Sequence, residues 1–64
     1  MKQGTIKFFN TEKGYGFVTD DETRQDIFVH ATGLNGTTVQ QHDRVEFEVR
    51  EGKKGLNAVS VRKL

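Results

Sequence analysis

Aromatic, charged and aliphatic side chains alternate in two short stretches of this sequence, residues 13–18 (KGYGFV) and Asp26–His30 (DIFVH). Exposed aromatic rings can stack on nucleobases, and flanking amines and carboxylates can contact phosphates or base edges. Catalysis finds no support, because Asp26 and His30 stand roughly 13 Å apart along one strand at the usual rise per residue. The two stretches therefore predict a binding surface and no enzyme activity.

The alternation also predicts how these side chains are arranged. Successive residues of a strand point to opposite faces, so Tyr15 and Phe17 share one face, as do Phe28 and His30, while the aliphatic residues between them point to the core. Residues 20–25 read as the loop of a hairpin. The loop centre places Phe17 opposite Phe28, which also sets Tyr15 opposite His30 and Thr19 opposite Asp26. The rings would then form one outward patch.

An outward patch of rings implies a partner, because exposed apolar clusters are uncommon on isolated proteins. From the residues alone, two other interpretations stay open: a ring cluster that serves stability, and a surface that docks another protein.

The adjacent rings Phe8 and Phe9 are a separate question. With Ile6 in the core, simple alternation buries Phe8 and exposes Phe9, whereas a bulge near the strand end would reverse the two. One of them is expected to stack on ligand and the other to fill the core.

Charged side chains flank the rings. Lys7, Lys13 and Lys54 are candidate phosphate neighbours, although a solvated lysine is the ordinary alternative. Asp26 shares the face of the rings, where a carboxylate can accept a hydrogen bond from a base edge; the alternative is a strand-end carboxylate that bonds to backbone.

The elements that must position these residues are short strands. Runs that alternate, or that are rich in residues favoured in strands, occur at residues 1–10, 15–19, 26–30, 45–50 and 56–62. No stretch long enough for a helix shows a helical period. Residues 31–44 form a long connection whose isolated aliphatics, Leu34 and Val39, should pin it to the core. The pattern predicts an all-β fold, a small closed barrel of five strands.

Composition narrows the possible functions. The 64 residues, with net charge +1 and no Cys, suffice for one domain, 1–64, without disulfides; two His are too few for a metal site. No stretch is apolar enough for a membrane span. We expect a cytoplasmic protein with no cofactor, no membrane partner and no small-molecule substrate.

The motifs carry a family resemblance over essentially the whole chain. KGYGFV is similar to the first ribonucleoprotein motif of bacterial cold-shock proteins and DIFVH to the second; GTIKFFN and EGKKGLNAVSV resemble the family's first strand and last hairpin. The resemblance implies a five-stranded antiparallel oligonucleotide-binding (OB-fold) barrel. It further implies a monomer that binds single-stranded RNA and DNA, acts as an RNA chaperone, and regulates transcription or translation under stress.

Carried over by position, the resemblance gives ten nucleic-acid-binding residues: Lys7, Phe8, Phe9, Lys13, Tyr15, Phe17, Asp26, Phe28, His30 and Lys54. The sequence also departs from the family. Phe8 stands where Trp is common, Ala31 stands where many members have an aromatic residue, and the following loop is short and has no ring. These gaps predict a shorter footprint or weaker binding. The rival hypothesis is an OB-fold module that uses the same patch to bind a protein.

Overall fold

The computed structural model describes residues 1–34, 36–52 and 55–64, which form five strands and one single-turn 3-10 helix. The strands are β1 (Lys2–Asn10), β2 (Tyr15–Asp20), β3 (Asp26–His30), β4 (Arg44–Gly52) and β5 (Gly55–Lys63). All five predicted strands are confirmed, with ends that move by one or two residues. The 3-10 helix, Ala31–Leu34, was not predicted because a single turn carries no sequence period.

The strands close into a barrel in the order β1-β2-β3-β5-β4. The predicted five-stranded barrel is confirmed, and its antiparallel description holds for every neighbouring pair except β3 and β5, which run parallel. This parallel pair follows from closure. Because β4 runs antiparallel to β1 and β5 returns antiparallel to β4, β5 must run in the direction of β3.

The core is made of the inward aliphatic positions of all five strands and two residues of the long connection. Leu34 and Val39 are both buried in it, so the expected role of these two residues is confirmed. The fully enclosed core includes Phe47 of β4. The buried hydrophobic residues of the strands are Ile6, Val18, Ile27, Val29, Val45, Phe47, Ala58 and Val61.

A β-bulge in β1 decides the orientation of the two adjacent rings. Ile6 pairs with Val18, but Phe8 pairs with Phe17, so Lys7 is one extra residue on β1. The bulge reverses the alternation, as one of the two sequence-based alternatives required. Phe8 therefore lies on the outward face and Phe9 packs against the core.

A second bulge, in β5, has the same effect on the core. Glu48 pairs with Val59 and Glu46 with Arg62, which leaves one extra residue on β5. Ser60 lies in this bulge with φ at 54°. The alternation is reset there, and Ala58 and Val61 both point inward although their separation is odd.

Asp20 closes the β2–β3 hairpin from inside. Its side chain is buried, with the residue only 1% exposed, and Oδ1 accepts hydrogen bonds from the Glu22 and Thr23 backbone N–H groups at 2.8 and 3.4 Å. Lys2 Nζ lies 3.3 Å from Oδ2, which ties the start of β1 to the hairpin. Burial alone would raise the pKa of Asp20, but the hydrogen bonds and Lys2 outweigh it, so the pKa is lowered.

Candidate nucleic-acid interface

Four aromatic rings meet on the outer face of β1, β2 and β3. Phe8 lies 5.6 Å from Phe17 and 6.2 Å from Tyr15, measured between ring centroids. Phe28 lies 5.8 Å from Phe17 and 5.9 Å from Tyr15, and the Tyr15 and Phe28 rings are nearly parallel at 17°. We call these four residues the ring cluster. The distances lie within the range at which aromatic rings pack against one another, so the four rings form one continuous surface.

Strand register brings the ring cluster together. The predicted pairing is confirmed: Phe17 faces Phe28, Tyr15 faces His30 and Thr19 faces Asp26. The intervening Val18, Ile27 and Val29 are buried, so the aromatic positions of β2 and β3 point away from the core. Phe8 joins them across β1 because of the bulge at Lys7.

Phe9 lies on the other side of the sheet from the ring cluster. It faces Gly16 across β1 and β2, is half-buried, and packs against the core. A Cβ atom added at Gly16 would come within 2.7 Å of both Cα and Cδ2 of Phe9. Gly16 is buried, and its missing side chain makes room for the Phe9 ring.

His30 is held at the end of β3 by a local contact. Its Nδ1 accepts a hydrogen bond from the Thr32 backbone N–H at 3.2 Å and lies 3.1 Å from Thr32 Oγ1. Since a backbone N–H can only donate, the neutral ring carries its proton on Nε2. This leaves Nε2–H as the donor that His30 offers to a ligand.

Asp26 is bound by side chains of β1 and β2. Lys7 Nζ donates to Asp26 Oδ2 at 2.7 Å and Thr19 Oγ1 donates to Oδ1 at 2.9 Å. These contacts differ from the backbone bonding considered as an alternative for Asp26. The hydrogen bond from Lys7, followed by that from Thr19, lowers the pKa of Asp26. The carboxylate is therefore charged near neutral pH and neutralises the Lys7 ammonium in the free protein.

The two remaining lysine candidates lie in turns. Lys13 is exposed in the β1–β2 turn, and its backbone N–H donates to Asn10 Oδ1 at 3.1 Å. Gly14 follows with φ at 74°, a left-handed conformation that favours glycine and brings the chain back into β2. Lys54 lies outside the described residues.

Sequence reasoning missed two supporting residues of this surface. Thr19 was placed opposite Asp26 but not as its hydrogen-bond donor, and Thr32 was not considered although it orients His30. The predicted register already contained the signal for this hydrogen bond, because it set the Thr19 hydroxyl directly opposite the Asp26 carboxylate. Thr32 lies in the unpredicted 3-10 helix and gave no comparable signal.

The arrangement suits noncovalent recognition of a charged polymer that carries flat aromatic groups. Aromatic faces stand beside one amine–carboxylate pair and one imidazole N–H, a combination that can stack, donate and accept. In the part of the chain that the structure describes, no three His, Cys, Asp or Glu side chains come together to hold a metal ion. The described residues also include no helix long and apolar enough to cross a membrane.

A closed five-stranded barrel of this order, with aromatic residues on the face of β1 to β3, defines the class of OB-fold domains. A family model described as the 'Cold-shock' DNA-binding domain matches residues 2–64. The chain belongs to this cold-shock domain family, as its sequence motifs indicated.

Full-length relatives agree with the family model. The chain is 48% identical to the "Major cold shock protein" of Micrococcus luteus, and the match covers 100% of both chains. It is 45% identical to the "Probable cold shock protein A" of Mycobacterium tuberculosis, again over 100% of each. A solved structure titled "drosophila Unr CSD456" is 29% identical with a TM-score of 0.80; the match covers 98% of this chain and 26% of that one. These matches support nucleic-acid binding as the general function.

Proposed function

We propose that this protein binds single-stranded RNA and DNA by stacking bases on the ring cluster. The observation that carries the proposal is that Phe8, Tyr15, Phe17 and Phe28 share one outward face. Each stacked base contributes about 1–3 kcal/mol, with little dependence on sequence. Duplexes keep their base faces inside the helix, so the same surface should discriminate against them.

Polar groups around the ring cluster would supply the remaining contacts. Lys13 approaches phosphates from the β1–β2 turn, and Lys54 is retained as a phosphate neighbour from the sequence. Lys7 and Asp26 together offer a donor and an acceptor to a base edge, and His30 donates through Nε2. Phe9 contributes indirectly, since it packs beneath the strands that hold the rings.

The proposed consequence of such binding is RNA chaperone activity. A protein that binds open strands and not paired ones shifts RNA hairpins toward the open form by mass action. This needs no catalytic step, no cofactor and no energy source. Acting as a monomer on RNA in the cytoplasm, the protein would influence transcription or translation through the structures it opens.

The test is a fluorescence anisotropy titration with a labelled pyrimidine-rich oligonucleotide, alongside the same strand annealed to its complement. We expect saturable binding to the single strand and much weaker binding to the duplex. Equal affinity for both would refute stacking as the mechanism. No binding to the single strand would leave the ring cluster as a surface for another protein, the rival hypothesis.

A further inference from the structure

One row of paired residues crosses all five strands of the barrel. Phe8 pairs with Phe17, which pairs with Phe28. The parallel contact between β3 and β5 pairs Phe28 with Asn57, and β4 pairs Arg50 with Asn57. The three rings of the row are thus followed by an amide and then a guanidinium.

The side chains at the end of this row lie on the same outer surface as the rings. Residues paired directly across neighbouring strands point to the same face, so Asn57 and Arg50 follow Phe28 outward. Burial agrees: Ala58 and Val49, next to them in sequence, are turned to the core, while Arg50 is exposed. Two strand spacings separate Phe28 from Arg50, about 10 Å between Cα atoms.

The residue that stands between Phe28 and Arg50 in this row, Asn57, has a short side chain. Asn57 is half-buried because its amide lies over the Cα atom of Gly52, where a Cβ atom would collide with it. The amide is thereby folded against β4 instead of standing up from the sheet. A chain that leaves the Phe28 ring can pass Asn57 within hydrogen-bonding reach.

Arg50 differs from two other arginines of the strands. Arg44 is paired with Asp21 at 2.6 Å, and Arg62 is paired with Glu46. Among the residues that the structure describes, no carboxylate lies within ion-pair distance of Arg50. Its charge is therefore available to an anion, whereas the Lys7 charge is held by Asp26.

We propose that Arg50, with Asn57 beside it, binds the phosphate backbone of a single strand after it leaves the ring cluster. This rests on the proposed function and extends the interface from three strands to five. The guanidinium binds a phosphate, with its planar fork matched to the two free oxygens, and the Asn57 amide donates to the same backbone. The row leaves the ring cluster at Phe28, so the strand is held there by charge after its bases have stacked.

The experiment compares Arg50→Gln with the wild type on two labelled oligothymidylates, one of about four nucleotides and one of about nine, within the range of OB-fold site sizes. Affinity is measured between about 0.1 M and 1 M salt. One lost phosphate contact should reduce the slope of log affinity against log salt concentration by about 0.7. Between the two ends of this salt range, the ratio of wild-type to variant affinity should therefore change about fivefold. We expect this loss with the longer strand and no change with the shorter one.

Two further variants control the result. Arg50→Lys keeps the charge and should retain the salt slope. Arg62→Gln removes an equal charge from the opposite end of β5, roughly 16 Å along the strand from Asn57, and should leave the slope unchanged. Melting curves by circular dichroism check that each variant is folded.

Three outcomes overturn the inference while leaving the proposed function intact: wild-type slopes in Arg50→Gln, an equal loss with both oligonucleotides, or an equal loss in Arg62→Gln. If the wild-type protein binds neither oligonucleotide, the proposed function fails and the inference fails with it. The two failures are therefore distinguishable in one data set.

Discussion

Lys7 shows how much one residue can decide in a small barrel. As the extra residue of the β1 bulge, it turns Phe8 outward to join the rings and turns Phe9 toward the core. Its own side chain spans β2 and reaches Asp26 on β3. One inserted position therefore sets both the extent of the ring cluster and the charge beside it.

Removing a single outward ring should weaken binding without unfolding the protein. Phe17→Ala and Phe28→Ala should each weaken single-strand binding by about 1–3 kcal/mol, because each removes a stacking surface that faces away from the core. Unfolding in urea and titration with an oligonucleotide measure the two effects separately.

The matched control is Phe47→Ala, which removes a fully buried ring. That variant should lose about 3–5 kcal/mol of stability. An outward-ring variant that unfolds as readily as Phe47→Ala would contradict the assignment of faces.

Asp26 should tune both charge and base preference. Asp26→Asn frees the Lys7 ammonium, so the salt slope of binding should steepen by about 0.7. The amide is a weaker acceptor than the carboxylate, so affinity for cytosine, whose N4 amine can donate to Asp26, should fall relative to affinity for thymine. Titrations with oligo-C and oligo-T over a salt series measure both.

Thr19→Val is the control for Asp26→Asn, because it removes the 2.9 Å hydrogen bond to Asp26 without changing charge. It should leave the salt slope as it is. If Asp26→Asn changes neither the slope nor the base preference, Asp26 has only a structural role.

At the scale of elements, the β2–β3 hairpin depends on contacts that sequence alternation cannot show. Asp20 was predicted to lie in the hairpin loop, but it is the last residue of β2 and is buried. Its carboxylate accepts hydrogen bonds from two turn N–H groups and pairs with Lys2. The Asp20 carboxylate thus stabilises the loop end of the hairpin that carries Phe17 and Phe28.

The stability of the hairpin should therefore depend on pH in a defined window. The pKa of Asp20 in the folded protein lies below its ordinary value of 3.8, so its ionised form stabilises the fold. This contribution is fully present well above pH 4 and is lost as the pH falls through the lowered pKa. Asp20→Asn should remove it.

The measurement is urea unfolding of the wild type and Asp20→Asn from about pH 7 to about pH 2. The difference in free energy of unfolding should shrink as the pH falls. Asp26 and Asp43, whose pKa values are also lowered, are common to both proteins and cancel in the comparison. A difference that stays constant with pH would show that the Asp20 charge has no part in the fold.

At the scale of the whole molecule, the length of the interface is limited because no aromatic residue follows His30 at position 31. Ala31 is exposed at the start of the 3-10 helix, directly after His30, and its backbone N–H donates to the Gly14 carbonyl at 2.8 Å. The position is fixed relative to the β1–β2 turn but carries no ring.

Ala31→Phe should extend the platform and strengthen single-strand binding by up to one stack, about 1–3 kcal/mol. Ala31→Leu, which adds apolar volume without an aromatic face, should give a smaller gain. Dissociation constants for a long oligonucleotide provide the readout. An unchanged constant for Ala31→Phe would mean that ligands do not pass this position.

Sequence alternation by itself determined the local parts of this protein. The faces of Tyr15, Phe17, Phe28 and His30 follow from the period of a strand, and their pairing follows from the length of the loop that connects β2 and β3. Both depend on residues close in the chain, so the pattern carries them. The ring patch on β2 and β3 was predictable for that reason.

Features that depend on residues far apart in the sequence were decided only by the tertiary structure. Whether Phe8 or Phe9 turned outward depended on the bulge at Lys7 in the pairing of β1 with β2, and the sequence pattern allowed either. The contact of Lys7 with Asp26 and the row from Phe28 to Arg50 need strands far apart in sequence to close one barrel. Closure depends on the packing of all five strands around one core, which no local period encodes.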